Sequence, residues 1–168
     1  MNSRSLSKEE LLARDLPGLV ADLMLKKGWL LATAESCTGG MISAACTDLA
    51  GSSNWFERGF VTYSNAAKTE LLGVDAALIV AHGAVSEEVV QAMAAGAIAR
   101  SRGQVAVAVT GVAGPTGGSR AKPVGTVWFG FMLDGRLSSE VQHFDGDRAA
   151  VRLATVQHAL QRLVQLLG

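Results

Sequence analysis

Leucines at positions 12, 16, 19 and 23 recur at three- and four-residue intervals along SKEELLARDLPGLVADLMLKKG, which predicts an opening helix. Ser7 and Glu10 fit a capping box at its start, and Pro17 is expected to bend or split it. The apolar run WLLATA, Trp29 to Ala34, predicts a short strand, and the small-residue stretch GGMISAACTDLAG a helix closed by Gly51. RGFVTYS, Arg58 to Ser64, alternates as a strand does, and NAAKTELLG predicts a short helix ending at Gly73. SEEVVQAMAAGAIARSRG carries the clearest helical signature. Ser86 caps it, Glu87 and Glu88 suit its positive N-terminus, and Gly103 ends it. QVAVAVTG is almost continuously apolar, the mark of a strand buried on both faces. TVWFGFML and LSSEVQHF flank DGR, a hairpin signal, and DRAAVRLATVQHALQRLVQLLG predicts a closing helix with Asp147 near its cap.

Helices therefore alternate with apolar strands through the first two thirds, and a hairpin comes late. The pattern predicts a single α/β domain over residues 1–168, a three-layer α/β/α sandwich on a mixed, mostly parallel sheet. Composition narrows the function classes. Net charge is +0 and 49% of residues are apolar, so neither a basic nucleic-acid face nor an acidic tail is expected. No apolar run approaches the roughly 18 residues of a membrane helix, and MNSRSLSKEELL lacks the apolar core of a signal peptide. A cytoplasmic protein is the expectation. Cys37 and Cys46 match no common zinc spacing, and His82, His143 and His158 are scattered. No metal and no cofactor are expected.

In α/β sheets, ligands sit beyond the C-terminal ends of strands, where loops meet helix starts. Three loops qualify: AESCTGG, TYSNAAK and TGVAGPTGG. In the first, Ser36, Cys37 and Thr38 are each possible nucleophiles, and any hydroxyl among them needs a base. Gly39 and Gly40 would expose backbone N–H groups to an anion or a developing oxyanion. The same residues also suit an ordinary turn in which Ser or Thr caps the helix. Glu35 weighs against that reading, because it has no capping task that Ser36 or Thr38 cannot perform.

The base is sought among the lysines. After Lys27 the chain has only Lys68 and Lys122, while arginine is used freely. Lysine can lose its proton when partly buried and arginine cannot. If the NAAK segment is helical, Ser64 and Lys68 share a face, and Tyr63 stands at the strand end, ready to orient or relay a proton. A solvent-exposed lysine on a short helix is the competing reading. The third loop, TGVAGPTGGSRAKPVG, has the composition of a phosphate cradle, with Arg120 and Lys122 adding charge. It matches neither the P-loop nor the dinucleotide glycine pattern. GDRAAVR puts Arg148 in the first turn of the last helix, a plausible phosphate contact or a surface arginine.

Taken in order, TAESCTGG, GSSNWFERGFVTYSNAAKTELLGV, HGAVSE, VTGVAGPTGG, KPVGTVWFGF and GDR resemble the CinA C-terminal domain family, the nicotinamide-nucleotide amidases. The motifs run from Thr33 to Arg148, and the chain resembles the stand-alone form of the family. The resemblance implies hydrolysis of the carboxamide of nicotinamide mononucleotide in pyridine nucleotide salvage. It implies Ser36 as nucleophile, with Tyr63 and Lys68 assisting. Substrate contacts would come from Glu35, Cys37, Thr38, Gly39 and Gly40, and from Thr110, Gly111, Gly114 and Arg148. The partner would be a small-molecule nucleotide, and a homo-oligomer is implied. The competing function is a non-catalytic nucleotide-binding or interaction module linked to competence and DNA metabolism, although the neutral charge gives no support for direct nucleic-acid binding.

Overall fold

The computed structural model describes residues 8–168, with side chains from residue 15 onward. The chain runs α1 (Lys8–Lys27), β1 (Leu31–Glu35), α2 (Met41–Thr47), a 3-10 turn (Ser52–Asn54), β2 (Phe56–Val61), α3 (Asn65–Leu72) and α4 (Ala76–His82). It continues through α5 (Glu87–Ala99), β3 (Val105–Gly111), β4 (Thr126–Leu133), β5 (Arg136–His143) and α6 (Arg148–Leu167). The strands form one sheet in the order β2-β1-β3-β4-β5. β1 is parallel to both β2 and β3, while β4 is antiparallel to β3 and to β5. Only β4 opposes the common strand direction, so the sheet is mixed, as its pattern predicts. The C-terminal ends of β2, β1 and β3 consequently lie side by side along one sheet edge.

Helices cover both faces. On one, Val20 and Met24 of α1, Ile42 of α2 and Leu160 and Leu163 of α6 pack on Val105, Val107 and Val109. On the other, Leu72 of α3, Ile79 of α4 and Val89, Val90 and Met93 of α5 pack on Ala32, Ala34, Ala106 and Ala108. Strand β3, VAVAV, thus turns valines to one layer and alanines to the other, because side chains alternate across a strand. The alanine face lets α5 come close. A Cβ added to Gly130 of β4 would lie 2.7 Å from the Val90 carbonyl, and one on Gly96 would lie 2.0 Å from the Leu72 carbonyl.

Several boundaries differ from the pattern-based expectation. Helix α1 is not split at Pro17, and the proposed Ser7–Glu10 capping box lies outside the described residues. Helix α5 stops at Ala99 instead of Gly103, where the Arg100 guanidinium donates to the Leu72 carbonyl at 3.0 Å and the Arg102 amide to Glu57. Strand β2 starts two residues before Arg58 and ends at Val61, because the carbonyls of Thr62 and Tyr63 turn to the Lys68 amine. Helix α4 carries no predicted element; Asp75 caps it by accepting from the Ala77 amide at 2.9 Å. The hairpin forms as DGR implies, with Asp134 (φ 46°) and Gly135 (φ 82°) both left-handed.

Candidate active site

The loop Ser36–Gly40 joins β1 to α2. Gly39 (φ 59°) and Gly40 (φ 103°) both take left-handed backbone, which glycine adopts without steric cost. Gly40 is the N-cap of α2 and offers no side chain for the cap. Glu35 supplies it from below. One carboxylate oxygen accepts from Thr38 Oγ1 (2.7 Å) and the Ile42 amide (2.8 Å). The other accepts from the Ser43 amide (3.0 Å) and Ser43 Oγ (2.7 Å). The side chain is fully buried. Two of these four donors, the Ile42 and Ser43 amides, are helix N–H groups that would otherwise be orphaned, and the carboxylate sits at the positive helix end. Glu35 therefore does perform a capping task, and it does so from beneath the loop.

Ser36 donates its amide to the Val109 carbonyl at 3.1 Å, which seats it at the end of the central strand pair. Lys68 reaches it from α3. Ser64 caps that helix by accepting from the Ala67 amide, and Lys68 lies one turn later. The Lys68 side chain is 1% exposed. Its Nζ donates to Ser36 Oγ at 2.9 Å, to the Thr62 carbonyl at 2.8 Å and to the Tyr63 carbonyl at 3.3 Å. Burial drives its pKa down from 10.5 to about 8, because the charged form loses its water. Of the two readings of Lys68, the solvent-exposed one is thereby excluded. Burial pushes the neighbouring Cys37 thiol the other way, up to about 11, so it stays protonated near neutral pH.

Tyr63 stands at the end of β2 and is 64% exposed. Its hydroxyl accepts from Arg148 Nη2 at 3.2 Å, while its carbonyl, not its hydroxyl, meets Lys68. Arg148 opens α6, and its Nη1 donates to the Gly114 carbonyl at 2.9 Å. One arginine thus ties the glycine-rich loop to the strand end. Thr110 is buried, with Oγ1 donating to the Ala84 carbonyl at 2.9 Å.

A cavity of about 250 Å³ opens over Ser36, with Cys37, Tyr63, Lys68, Thr110, Gly111 and Arg148 in its wall. A larger one, about 660 Å³, adjoins it and shares Ala113 and Arg148. Seven of the twelve sequence-selected residues therefore meet at one opening, while Glu35, Thr38, Gly39, Gly40 and Gly114 lie outside its wall. Asn65, Ala84 and Val85, outside the sequence-selected set, line it too. Arg152 was missed as well. It donates from Nε to the Cys37 carbonyl and from Nη2 to the Thr38 carbonyl, both at 3.1 Å. Its signal was the spacing in GDRAAVR, where Arg152 falls one helical turn after Arg148. Among the described residues no group of three or more His, Cys, Asp or Glu side chains could hold a metal ion, and no helix is long and apolar enough to cross a membrane.

The profile of the CinA C-terminal domain matches residues 13–167. The chain belongs to the CinA C-terminal domain family. Among family relatives it is 60% identical over 136 residues to the nicotinamide-nucleotide amidohydrolase PncC of Enterobacter agglomerans, spanning 80% of this chain and 83% of that one. It is 51% identical over 147 residues to the protein of the same name from Escherichia coli K12, spanning 87% and 89%. A solved family structure, the competence/damage inducible protein CihA from Agrobacterium tumefaciens, is 43% identical and matches with a TM-score of 0.87 over 97% of this chain and 99% of that one. The resemblance drawn from the ordered motifs is thus the family in fact.

Proposed function

We propose that this chain is an amidohydrolase that converts nicotinamide mononucleotide and water to nicotinic acid mononucleotide and ammonia, with Ser36 as nucleophile and Lys68 as its base. The amidohydrolase relatives, identical at half or more of the aligned positions, support the reaction. One observation carries the residue roles: the three neighbours of the Lys68 amine. A neutral amine has two N–H donors and one lone pair. Two of its neighbours, the Thr62 and Tyr63 carbonyls, can only accept and so take both N–H groups. The lone pair is left facing the Ser36 hydroxyl at 2.9 Å, the direction in which a base must receive that proton.

Ser36 Oγ then attacks the amide carbon as Lys68 takes its proton. The Cys37 amide, which follows Ser36 in the cavity wall, is the candidate donor to the oxyanion. Lys68 returns the proton to the leaving nitrogen and ammonia departs. Water, deprotonated by the same amine, cleaves the acyl-enzyme and restores Ser36. Thr110, Gly111 and Arg148 border the space left for ribose and phosphate. The family resemblance further favours a cytoplasmic homo-oligomer, and sedimentation of the purified protein checks the assembly.

The test is ammonia release from nicotinamide mononucleotide by wild type, Ser36→Ala and Lys68→Ala. Lys68→Ala is expected to lose about 10²–10⁴-fold, the usual contribution of a positioned base, and Ser36→Ala at least as much. Wild-type rates in either would overturn the assigned roles. Nucleotide binding without turnover in the wild type would favour the non-catalytic module instead.

A further inference from the structure

Three contacts of Arg152 have no part in the chemistry above. Nε and Nη2, one edge of the guanidinium, donate to the carbonyls of Cys37 and Thr38, each at 3.1 Å. The same group packs on Gly39, where an added Cβ would lie 3.5 Å from Nη2. Arg152 therefore grips the Cys37–Thr38 and Thr38–Gly39 peptide groups, which begin one residue after Ser36. In a trans peptide the carbonyl and the following N–H point opposite ways, and the cis bond of the described chain lies elsewhere, at Gly114–Pro115. With both carbonyls drawn toward α6, the amides of Thr38 and Gly39 are turned away from it. The Gly39 amide indeed closes on the Ser36 carbonyl at 3.1 Å.

The loop is held from the other side by Glu35 through Thr38 Oγ1. Clamped between a buried carboxylate and a guanidinium fork, the three residues after β1 have little room to rotate. This matters because Gly39 and Gly40 make the loop pliable. A displacement of about 1 Å at a reacting group can cost on the order of 10²-fold in rate. Helix α6 thus serves the site twice, with Arg148 on the glycine-rich loop and Arg152 on the nucleophile loop.

We infer that Arg152 is a positioning residue for the reaction, fixing the peptide planes of the nucleophile loop instead of binding substrate. The inference rests on Ser36 being the nucleophile. It has a direct competitor, because Arg152 also borders the larger cavity and could contact a substrate phosphate there.

Steady-state ammonia release by Arg152→Ala, Arg152→Lys and Ser36→Ala separates the possibilities. For Arg152→Ala, kcat is expected to fall roughly 10–100-fold with KM within about threefold, since the lost interaction serves the transition state. Arg152→Lys should fall between it and wild type, because an ammonium keeps the charge without the planar fork. Guanidinium at tens of millimolar should restore part of kcat to Arg152→Ala, and urea at the same concentration should not. A raised KM with kcat intact would make Arg152 a substrate contact, and an unchanged kcat in folded Arg152→Lys and Arg152→Ala would remove any role. If Arg152→Ala does not fold, the kcat-to-KM split of Arg152→Lys decides alone. Retained turnover in Ser36→Ala would sink the nucleophile assignment, a failure distinct from any outcome at Arg152.

Discussion

The lowered proton affinity of Lys68 has a kinetic consequence that can be read without any mutation. Its amine titrates at about 8 instead of 10.5. If turnover requires the neutral amine, kcat/KM follows its neutral fraction, about 10% at pH 7, half at pH 8 and 90% at pH 9. The rate should therefore rise about fivefold from pH 7 to 8, less than twofold from pH 8 to 9, and level off above that. An amine at its ordinary value would instead climb nearly tenfold per unit through pH 9. The substrate phosphate has its second ionisation near 6, so the diagnostic span is about pH 7 to 10. The assay is initial ammonia release at substrate concentrations well below KM, where the free enzyme's ionisation is reported. Lys68→Arg, which cannot lose its proton, should show about a 10²–10⁴-fold loss with no recovery up to about pH 10. A flat profile from pH 7 to 9, or a limb still climbing nearly tenfold per unit from pH 8 to 9, would refute the buried-base argument.

Glu35→Gln replaces one carboxylate oxygen by an amide nitrogen that faces two donors. The hydroxyl donor can turn to accept from the new amide, so the N–H bond is the one lost, at about 1.5–3 kcal/mol for a bond to a charged acceptor. Thermal melts should then drop by about 3–12 °C, and an unchanged melt would contradict the cap. Thr62→Val tests the opposite case. Thr62 Oγ1 is buried without a hydrogen-bond partner among the described residues, so an isosteric methyl should leave melting unchanged or raise it by about 1 kcal/mol equivalent. Activity should stay within about twofold of wild type, since it is the Thr62 carbonyl that holds Lys68. Substantial loss of either would show that the hydroxyl has a partner in solution.

Much of this site was legible from residue choice. A chain that writes most of its later cations as arginine yet keeps Lys68 declares an interest in a removable proton, and Lys68 reaches Ser36. The glycines of TAESCTGG announced their left-handed turn. What stayed hidden was long-range. Glu35 looked spare because its task, capping a helix six residues on, depends on the chain folding back over it. Arg152 lies 115 residues from Cys37, and nothing local says which carbonyls it will meet. The end of α5 at Ala99 was set by Arg100 finding the Leu72 carbonyl, another partner distant in sequence. Helix α4 was too short to show a helical period and had only Asp75 to mark it. The layered fold, by contrast, rests on side-chain alternation, which is local, and β3 displays it in its Val–Ala pattern.

The groups that aim the Lys68 lone pair are main-chain carbonyls. No side-chain replacement at positions 62 or 63 can delete them. A saturation mutagenesis scan scored for turnover would therefore mark Thr62 as permissive to any residue of its size, while the backbone there is indispensable. Ester substitution by protein semisynthesis, which weakens a chosen carbonyl as an acceptor, would expose that hidden dependence. If Lys68 is the base, its directionality is inherited from chain path, and it can drift only if strand β2 and helix α3 move apart.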